Sequence, residues 1–428
     1  MFQENKILNK ILDLGRKIVP KRVFKWAQPI YHWALGTVGA ILYGFPSRSM
    51  KVIAVTGTKG KSTTVFMISK IFEEQGLPVA AIGSLGFKIK EKTWPNMLKM
   101  TLPGRLKLQK FFYRAKRVEV KFVVLEATSE GIAQNRLTAI SVDCAVFTNL
   151  HREHLESHGS FENYMAAKQK LFLKTRNAHV LNIDDPYFEK FANFPARHKI
   201  TYGKKWGMIS PLKPEVSDLH LKLLGDFNEY NALAALAVVS VYGLDIGKAI
   251  SSLNSIESVP GRMEIIRAPA GFNVVIDYAH TPDSLEMVCQ TLKNLLNLKP
   301  NTQNLKPKLI CVLGAAGGGR DKWKRPEFGK IAARYCDEII LTNEDPYDEN
   351  PEAILEQIAS GFSQTQMSKS KFQKIIDRRG AIKKALTIAQ TGDIVVITGK
   401  GSETSMAIAG GGKVPWSDKN IVEELLRG

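Results

Sequence analysis

A short apolar run that leads directly into a glycine- and lysine-rich turn restricts the fold of this chain more than any other segment. Residues 51–55 (KVIAV) predict a buried strand, and the turn from 56 to 64 reads TGTKGKSTT. An amphipathic helix is predicted next, because apolar side chains recur at positions 65, 66, 68, 71 and 72. Backbone N–H groups in such a turn, and at the helix N-terminus, face an anion. We therefore predict that this segment binds phosphate groups.

Individual side chains of the turn have expected roles in phosphate binding. Lys61 is expected to reach the terminal phosphates, and the hydroxyl of Ser62 suits a Mg²⁺ ligand. The complete Walker pattern would place a glycine where Val55 stands, so this loop is shortened. The predicted phosphate-binding residues of the loop are Gly57, Thr58, Lys59, Gly60, Lys61, Ser62 and Thr63.

Candidate metal ligands follow two further predicted strands. Residues 122–126 (FVVLE) predict a buried strand that ends in Glu126, where a carboxylate beside a phosphate loop is placed to hold Mg²⁺. Residues 143–149 (DCAVFTN) predict another strand, and three histidines stand between 151 and 158. A zinc site is the rival interpretation, but no cysteine joins these histidines and no HExxH pattern is present. A helix is predicted over Phe161–Phe172, and it carries Lys168.

The composition is that of a folded protein with an excess of positive charge. The 428 residues suffice for two or three domains, and 44% of them are hydrophobic. With 60 Lys and Arg against 41 Asp and Glu, the net charge of +19 favours anionic partners such as nucleotides. No DNA- or RNA-binding motif accompanies this charge, so nucleic acid is not an expected partner. The four cysteines form no CxxC pair, which argues against zinc fingers and redox pairs and is typical of buried thiols in the reducing cytoplasm.

The first 48 residues form a basic segment with eight basic and two acidic side chains. No charged residue stands between Trp26 and Phe45, a length that approaches a membrane span. Gln28, Pro29 and His32 interrupt the apolar run, and no small-residue cleavage site indicates a secretory signal. Three interpretations remain open: a helical arm packed on the next domain, a basic helix in peripheral contact with a membrane surface, or a true span.

The segments described so far resemble the central domain of the Mur ligase family. The resemblance rests on residues 55–64 (VTGTKGKSTT), Glu126, and residues 147–172 (FTNLHREHLESHGSFENYMAAKQKLF). Members of this family are ATP-dependent amide-bond ligases of peptidoglycan precursor synthesis, so the resemblance implies that the loop binds ATP. It also implies that Lys168 is carbamylated and binds a second Mg²⁺ together with His154. Glu153 stands where the family usually has Asp.

Later segments extend the resemblance. Residues 225–232 are similar to a G-x-F-N-x-x-N motif, which implies that Asn228 and Asn231 lie near the adenine. Residues 259–264 (VPGRME), with Arg262, resemble the entry to the family's C-terminal domain. Residues 277–283 (DYAHTPD) resemble a motif whose counterparts of Asp277 and His280 contact the ribose and lie near the phosphates.

The expected fold is α/β with two main domains. From residue 308 the chain alternates predicted strands (308–314, 338–343 and 393–399) with helices, one of them starting at about Gly329. This rhythm predicts a doubly wound parallel sheet. We predict a short helical N-terminal arm over 1–48, a P-loop-type ATPase domain with a parallel sheet over 49–258, and a Rossmann-like domain over 259–428.

Substrate residues are implied by resemblance to the family's tripeptide synthetases, which add the third amino acid. Residues 100–104 (MTLPG) and 126–129 (EATS) follow that pattern, which implies that the muramoyl substrate is held by Thr101, Ser129, Gln134 and Arg136. The acceptor motif DNPR reads Glu344-Asp345-Pro346-Tyr347 here, and the final GKGHE motif reads GKGSE and ends at Glu403. Tyr347 lacks the guanidinium that would bind a carboxylate of diaminopimelate. The expected acceptor-binding residues are Glu344, Asp345 and Glu403. Lysine or another amino acid is an alternative acceptor to diaminopimelate.

The resemblance implies one main function and leaves alternatives. In the main interpretation, a monomeric cytoplasmic enzyme uses ATP and Mg²⁺ to join an amino acid, expected to be a diamino acid, to a UDP-N-acetylmuramoyl-dipeptide-type carboxylate through an acyl phosphate. Only 48 residues stand where the family has a uridine-diphosphate-binding domain, so recognition of that group is open. A ligase extending folate or poly-γ-glutamate, a glutamine-fed amidating enzyme, and a nucleic-acid motor are the alternatives.

Overall fold

The computed structural model describes residues 21–98, 100–153, 158–298, 307–319, 322–362 and 372–427. These residues divide into two compact units. The first comprises the described residues up to Lys222 together with Asp226–Ile256, and the second comprises Leu223–Gly225 and those from Glu257 onward. The predicted boundary between residues 258 and 259 lies two residues from this division.

An eight-stranded sheet forms the centre of the first unit, with strand order β4-β3-β2-β5-β1-β6-β7-β8. Strands β2, β5, β1, β6, β7 and β8 run parallel, while β3 and β4 pair antiparallel at one edge. The strands are β1 (Lys51–Thr56), β2 (Val79–Gly83), β3 (Gly86–Ile89), β4 (Lys92–Trp94), β5 (Phe122–Glu126), β6 (Val142–Phe147), β7 (Ala178–Asn182) and β8 (His198–Tyr202).

Helices cover this sheet, which explains why its strands read as continuous apolar runs. Val52 and Ala54 of β1 join a core cluster with Phe111 and Phe172 from two helices. Ile53 and Val55 are equally buried and, by the alternation of a strand, face the other side. The helices are α1 (Lys21–Leu42), α2 (Lys61–Glu74), α3 (Arg105–Arg117), α4 (Ser129–Ala133), α5 (Phe161–Lys174), α6 (Phe188–Ala192), α7 (Asp226–Val241) and α8 (Ile246–Ser255).

In the described part of the N-terminal segment, residues 21–48, helix α1 packs on the first unit. Glycines let α1 approach its neighbours closely: a Cβ at Gly36 would lie 2.8 Å from Thr138, and one at Gly39 would lie 2.9 Å from Leu106 of α3. In the described part of the chain, no helix combines the length and the apolarity that crossing a bilayer requires.

The second unit contains a six-stranded sheet in the order β13-β12-β11-β14-β10-β9. All pairings are parallel except that of β9 with β10, which confirms the predicted doubly wound arrangement. The strands are β9 (Glu264–Arg267), β10 (Asn273–Ile276), β11 (Leu309–Leu313), β12 (Glu338–Leu341), β13 (Phe372–Lys374) and β14 (Ile394–Ile397), and β15 (Ser405–Ala407) pairs with β16 (Lys413–Pro415). The helices are α9 (Pro282–Leu298), α10 (Lys324–Tyr335), α11 (Pro351–Ala359), α12 (Arg378–Ile388) and α13 (Asp418–Arg427).

Element ends differ from the sequence-based expectation at several places. Helix α10 begins at Lys324, five residues before the predicted start, because Pro326 is tolerated within the first turn of a helix. Strands predicted over 338–343 and 393–399 end at Leu341 and Ile397. The polar residues that follow leave the sheet and enter the loops at its carboxyl edge.

A buried ion pair ties the last two helices to this edge. Arg378 donates to both carboxylate oxygens of Asp418 at 2.8 and 2.7 Å and to the carbonyls of Asn343 and Thr398 at 3.2 and 2.8 Å. Both charged side chains are fully buried, so each depends on the other for compensation.

We predict that Arg378→Leu destabilises the second unit by about 3–5 kcal/mol, because it leaves the Asp418 carboxylate buried without its partner. The neighbouring Arg379 makes a similar two-bonded pair with Glu424 in solvent, so Arg379→Leu is the matched control and should cost much less. Urea unfolding followed by circular dichroism and tryptophan fluorescence measures both changes. Equal losses for the two variants would contradict the prediction.

Candidate functional site

The predicted phosphate loop joins β1 to α2, and two glycines give it its shape. Gly57 has a φ of 152°, and a Cβ there would lie 1.9 Å from the Thr148 hydroxyl. Gly60 has a φ of 81°, and a Cβ there would lie 2.2 Å from Asn231 Oδ1. Because Gly60 precedes α2 and has no side chain, no capping side chain occupies the first-turn N–H groups. The start of α2 therefore has the form of an anion-binding helix end.

Residues after β6 hold the loop in place. Thr58 N donates to the carbonyl of Asn149 at 2.9 Å, and Lys59 N donates to the side-chain oxygen of Asn149 at 2.8 Å. The Thr148 hydroxyl donates to the carbonyl of Lys59 at 2.7 Å. Sequence reasoning missed Thr148 and Asn149 as part of the site, although both lie in the segment that carries the family resemblance.

The two predicted Mg²⁺ ligands on α2 and β5 belong to one hydrogen-bond network. Ser62 Oγ lies 2.7 Å from Ser84 Oγ, and Ser84 donates to Glu126 Oε1 from its hydroxyl at 2.9 Å and from its backbone N–H at 2.7 Å. The carboxylate of Glu126 is buried. Gly83 must be a glycine, because a Cβ there would lie 2.3 Å from Glu126 Oε1. Sequence reasoning missed Ser84, because nothing in the chain order shows that β2 lies beside β5.

Lys168 on α5 places a buried amine against the loop. Its Nζ donates to the carbonyl of Gly57 at 2.7 Å and lies 4.7 Å from the centre of the Tyr164 ring. Lys61 donates to the same carbonyl at 3.0 Å and to that of Thr58 at 2.8 Å. Burial, and then the charge of Lys61, lower the pKa of Lys168 well below its ordinary value. The environment therefore favours the uncharged, nucleophilic amine.

Oxygen donors dominate this part of the site. Ser62 and Glu126 are hard ligands of the kind that Mg²⁺ prefers, and a carbamate on Lys168 would add another. His154 lies outside the described residues. Within the described ranges, no group of three or more His, Cys, Asp or Glu side chains forms a metal cluster. His158 instead pairs with the hydroxyl of Ser129 at 3.1 Å.

A cluster of cationic side chains surrounds the predicted muramoyl residues. Arg136 is buried and donates to Leu102 O at 2.6 Å and to Gln134 Oε1 at 2.8 Å, while Arg105 donates to the carbonyl of Gln134. The carbonyl of Thr101 accepts a bond from Asn96 at 3.3 Å. Ser129 is buried at the start of α4, and Thr128 caps that helix.

The positive charge of this cluster contributes to the lowered pKa of a neighbouring histidine. Burial, then Arg105 and Arg136, lower the pKa of His32 to about 4. Burial also lowers the pKa of Arg136 itself. The cluster is therefore suited to an anionic substrate group.

The asparagines predicted near the adenine lie on α7. Asn231 accepts a bond from the Thr64 hydroxyl at 3.3 Å and donates to Asn228 at 3.1 Å. The structure therefore brings Asn228 and Asn231 to the phosphate loop within the first unit.

In the second unit, the residues 277–280 form a tight turn after β10. Asp277 accepts bonds from the backbone N–H groups of Met263 at 2.8 Å and Ala279 at 2.7 Å. The Arg262 guanidinium lies 4.4 Å from the centre of the Tyr278 ring, and His280 lies 4.5 Å from the same ring on centres. Arg262, Asp277 and His280 are thus gathered at one end of β10.

The predicted acceptor residues form a mixed-charge cluster around a lysine. The buried Lys400 donates to both carboxylate oxygens of Asp345 at 2.9 and 3.0 Å and also pairs with Glu403. Glu403 accepts a further bond from Tyr278 at 3.3 Å. Burial raises the pKa of Glu344 to about 7. Sequence reasoning named the three acids but missed Lys400, which holds two of them together.

Tyr347, which stands where the acceptor motif has arginine, supports a neighbouring loop. It adopts a left-handed φ of 51°, and a Cβ at Gly318 would lie 2.9 Å from its ring. The side chain therefore packs on Gly318 of the second unit.

Comparisons with known proteins cover nearly the whole described chain. Residues 55–239 match the Mur ligase middle domain, and residues 261–401 match the Mur ligase, glutamate ligase domain. The UDP-N-acetylmuramoyl-L-alanyl-D-glutamate--2,6-diaminopimelate ligase of Syntrophomonas wolfei is 37% identical over 92% of this chain and 82% of its own length. A UDP-N-acetylmuramyl-tripeptide synthetase of Roseiflexus is 35% identical over 90% of this chain and 80% of its own.

Solved structures agree with these matches. The structure of a UDP-N-acetylmuramoyl-L-alanyl-D-glutamate--2,6-diaminopimelate ligase superposes with a TM-score of 0.58 at 31% identity, covering 88% of this chain and 78% of that one. The folylpolyglutamate synthase of Mycobacterium tuberculosis reaches a TM-score of 0.64 over 86% of this chain and 92% of its own. At 17% identity the latter shows a shared fold alone.

We predict that Gly57→Ala weakens nucleotide binding by at least about 100-fold, since the new methyl group would displace Thr148 and open the loop. Gly76→Ala is the matched control: Gly76 also has a positive φ of 74°, but its Cβ would meet open space. The control should lose some stability and keep its affinity. Titration with a fluorescent ATP analogue measures both, and unchanged affinity in Gly57→Ala would contradict the assigned loop.

A further prediction concerns how the stability of the second unit depends on pH. Because the folded protein raises the pKa of Glu344 from 4.5 to about 7, the protonated carboxyl stabilises the fold. This contribution is complete below about pH 4.5, is lost as the pH rises through about 7, and amounts to about 3 kcal/mol. Glu344→Gln should remove that dependence from urea-unfolding stabilities, while the exposed Glu352→Gln should keep it. Parallel profiles for wild type and Glu344→Gln would refute the prediction.

Proposed function

This chain belongs to the Mur ligase family, whose members are ATP-dependent ligases that form amide bonds, and from that premise we propose its substrates and its catalytic residues. The proposed reaction joins an amino acid to the free carboxylate of a UDP-N-acetylmuramoyl-L-alanyl-D-glutamate-type substrate in peptidoglycan precursor synthesis. The observation that carries the proposal is the buried Lys168 amine beside the phosphate loop and Lys61.

In the first step, the substrate carboxylate attacks the γ-phosphorus of ATP, and ADP leaves. The loop residues from Gly57 to Thr63 hold the phosphates, and Lys61 neutralises charge that develops on the transferred group. Ser62 and Glu126 would hold a Mg²⁺ ion, which would supply further neutralisation of charge on the phosphate oxygens. In the second step, the acceptor amine attacks the acyl carbon, and phosphate leaves with formation of the amide bond.

Lys168 is proposed to act as a carbamate. Its uncharged amine attacks the carbon of CO₂, the nitrogen releases a proton to solvent, and the neutral side chain becomes an anionic carbamate. The low pKa of this buried amine supports the step, because only the free base is nucleophilic. The resulting carboxylate, together with His154, would hold a second Mg²⁺.

The donor substrate is proposed to lie against Thr101, Ser129, Gln134 and Arg136. The buried Arg136 and the adjacent Arg105 support this, because cationic side chains suit the acidic muramoyl peptide. The proposed contacts of the nucleoside are Asn228, Asn231, Arg262, Asp277 and His280, which continue the family pattern.

The acceptor is proposed to be a diamino acid bound through its distal ammonium group. Asp345 and Glu403 carry two negative charges around the single positive charge of Lys400, so the cluster favours a cation. Tyr347 supplies no guanidinium for a distal carboxylate. L-Lysine and diaminopimelate are therefore both candidates, and relatives named as diaminopimelate ligases support the latter.

Other properties follow the same proposal. We expect a monomeric, cytoplasmic enzyme that takes small-molecule substrates. Folate or poly-γ-glutamate is not favoured as a substrate, because the likeness to folylpolyglutamate synthase extends to the fold alone.

The test follows ADP release and product mass with UDP-N-acetylmuramoyl-L-alanyl-D-glutamate, ATP, Mg²⁺ and a panel of amino acids. We predict that Lys61→Ala and Lys168→Ala each lower turnover by about 100-fold or more, and that Lys168→Ala alone becomes insensitive to removal of CO₂. Lys170→Ala, two residues away on the same helix, is the control and should keep its activity. Near-normal turnover in Lys168→Ala, or no ligated product with any diamino acid, would reject the proposal.

A further inference from the structure

Helix α1 exposes an apolar face although it packs on the first unit. Its buried side is formed by the small residues Gly36, Gly39 and Ala40, of which Gly36 faces Thr138 and Gly39 faces Leu106 of α3. Tyr31, Val38 and Leu42, spaced seven and four residues apart, share the opposite face. The exposed fractions of the large apolar side chains on α1 are 52% for Tyr31, 58% for Trp33, 49% for Val38, 61% for Ile41 and 71% for Leu42.

Helix α3 continues this surface with positive charge. Leu106 lies against Gly39 of α1 and is 42% exposed, and the rings of Tyr43 and Tyr113 are 5.4 Å apart. Lys110, Arg114 and Arg117 follow Leu106 at helical spacing and are exposed. The exposed cations of α3 therefore lie on the same helix face as Leu106, which contacts α1.

Neither helix carries an acidic residue. Together α1 and α3 hold nine Lys and Arg side chains and no Asp or Glu, and the sequence from Leu14 to Phe72 contains no acid. Elsewhere the chain mixes both charges, since 41 acidic residues occur in it. A surface that combines exposed aliphatic and aromatic side chains with exposed cations matches an anionic lipid headgroup region, where apolar groups insert and cations remain at the phosphates.

We propose that the exposed face of α1, together with the basic face of α3, binds the surface of an anionic lipid bilayer. The helix lies on the bilayer, with Val38, Ile41 and Leu42 entering the boundary between headgroups and acyl chains. This contact is independent of the proposed ligase reaction, because it uses neither ATP nor the residues of the phosphate loop.

The experiment uses the full chain and vesicles of phosphatidylcholine with or without phosphatidylglycerol, in a sedimentation assay without nucleotide. The expected result is binding at least about tenfold tighter to the anionic vesicles, weakening as salt is added. No binding to either vesicle would overturn the proposal. Equal, salt-independent binding to both would overturn it as well.

Two pairs of variants separate the apolar contribution from the charge contribution. The double variant Ile41→Asp, Leu42→Asp should lower the affinity for vesicles at least about tenfold. Leu212 lies on the loop after β8 and is 75% exposed, so Leu212→Asp is the control and should leave the affinity unchanged. Lys110→Glu with Arg114→Glu should lower affinity for anionic vesicles at least about tenfold, whereas Lys383→Glu on α12 should not. Circular dichroism and ATP binding confirm that each variant is folded.

Two other occupants of this surface give distinct outcomes. If a second copy of this chain occupied the surface, light scattering would give twice the monomer mass, and Ile41→Asp would return the mass to that of the monomer. In that case the wild-type protein would not bind vesicles. If duplex DNA were the partner, the protein would bind DNA, Lys110→Glu would lower that affinity, and added vesicles would not displace the DNA. Either result would overturn the bilayer proposal.

Discussion

The contact between the buried Lys168 amine and the carbonyl of Gly57 is the interaction on which the rest of the site depends. Lys61 donates to the same carbonyl, so two amines approach one acceptor. Two adjacent cations repel each other, and the more deeply buried one loses its proton more readily. Lys168 is the buried partner, at 1% exposure. One loop carbonyl thus fixes the position of both side chains and creates the difference in their protonation.

The order of the strands explains how the remaining groups reach that loop. β2, β5, β1 and β6 are neighbours and run parallel, so their carboxyl ends open on one edge of the sheet. Ser84, the phosphate loop and Asn149 follow β2, β1 and β6, and Glu126 is the last residue of β5. Glycine is required at Gly57, Gly60 and Gly83, because each faces a polar side chain within 2.3 Å of where a Cβ would stand. The site is therefore made by close approach of backbone to side chain at strand ends.

Local sequence patterns predicted many of the strands and helices of this structure. The strand over 122–126 matches its predicted bounds, and the helix that carries Lys168 starts at Phe161 as expected, because apolar runs and periodic helices are local signals. Ser84 and Lys400 escaped prediction, because their roles depend on which strands are neighbours and on a three-residue ion cluster. The predicted start of α10 is five residues late, because the helix already begins at Lys324 and its first turn accommodates Pro326. His154 lies outside the described residues, so its role stays a prediction.

The net charge of +19 is the sum of very different local environments. α1 and α3 are cationic without any acid, whereas the proposed acceptor cluster gathers Glu344, Asp345 and Glu403 near one lysine. Such an acidic cluster is tolerated because Lys400 pairs with Asp345 and Glu403 and offsets one of their two charges, while the raised pKa of Glu344 favours its protonated carboxyl below about pH 7. A cation that entered would compete with Lys400 for the same oxygens. The positions of the Asp345 and Glu403 carboxylates therefore depend on how firmly Lys400 is held, and its complete burial makes the lysine a fixed part of this cluster.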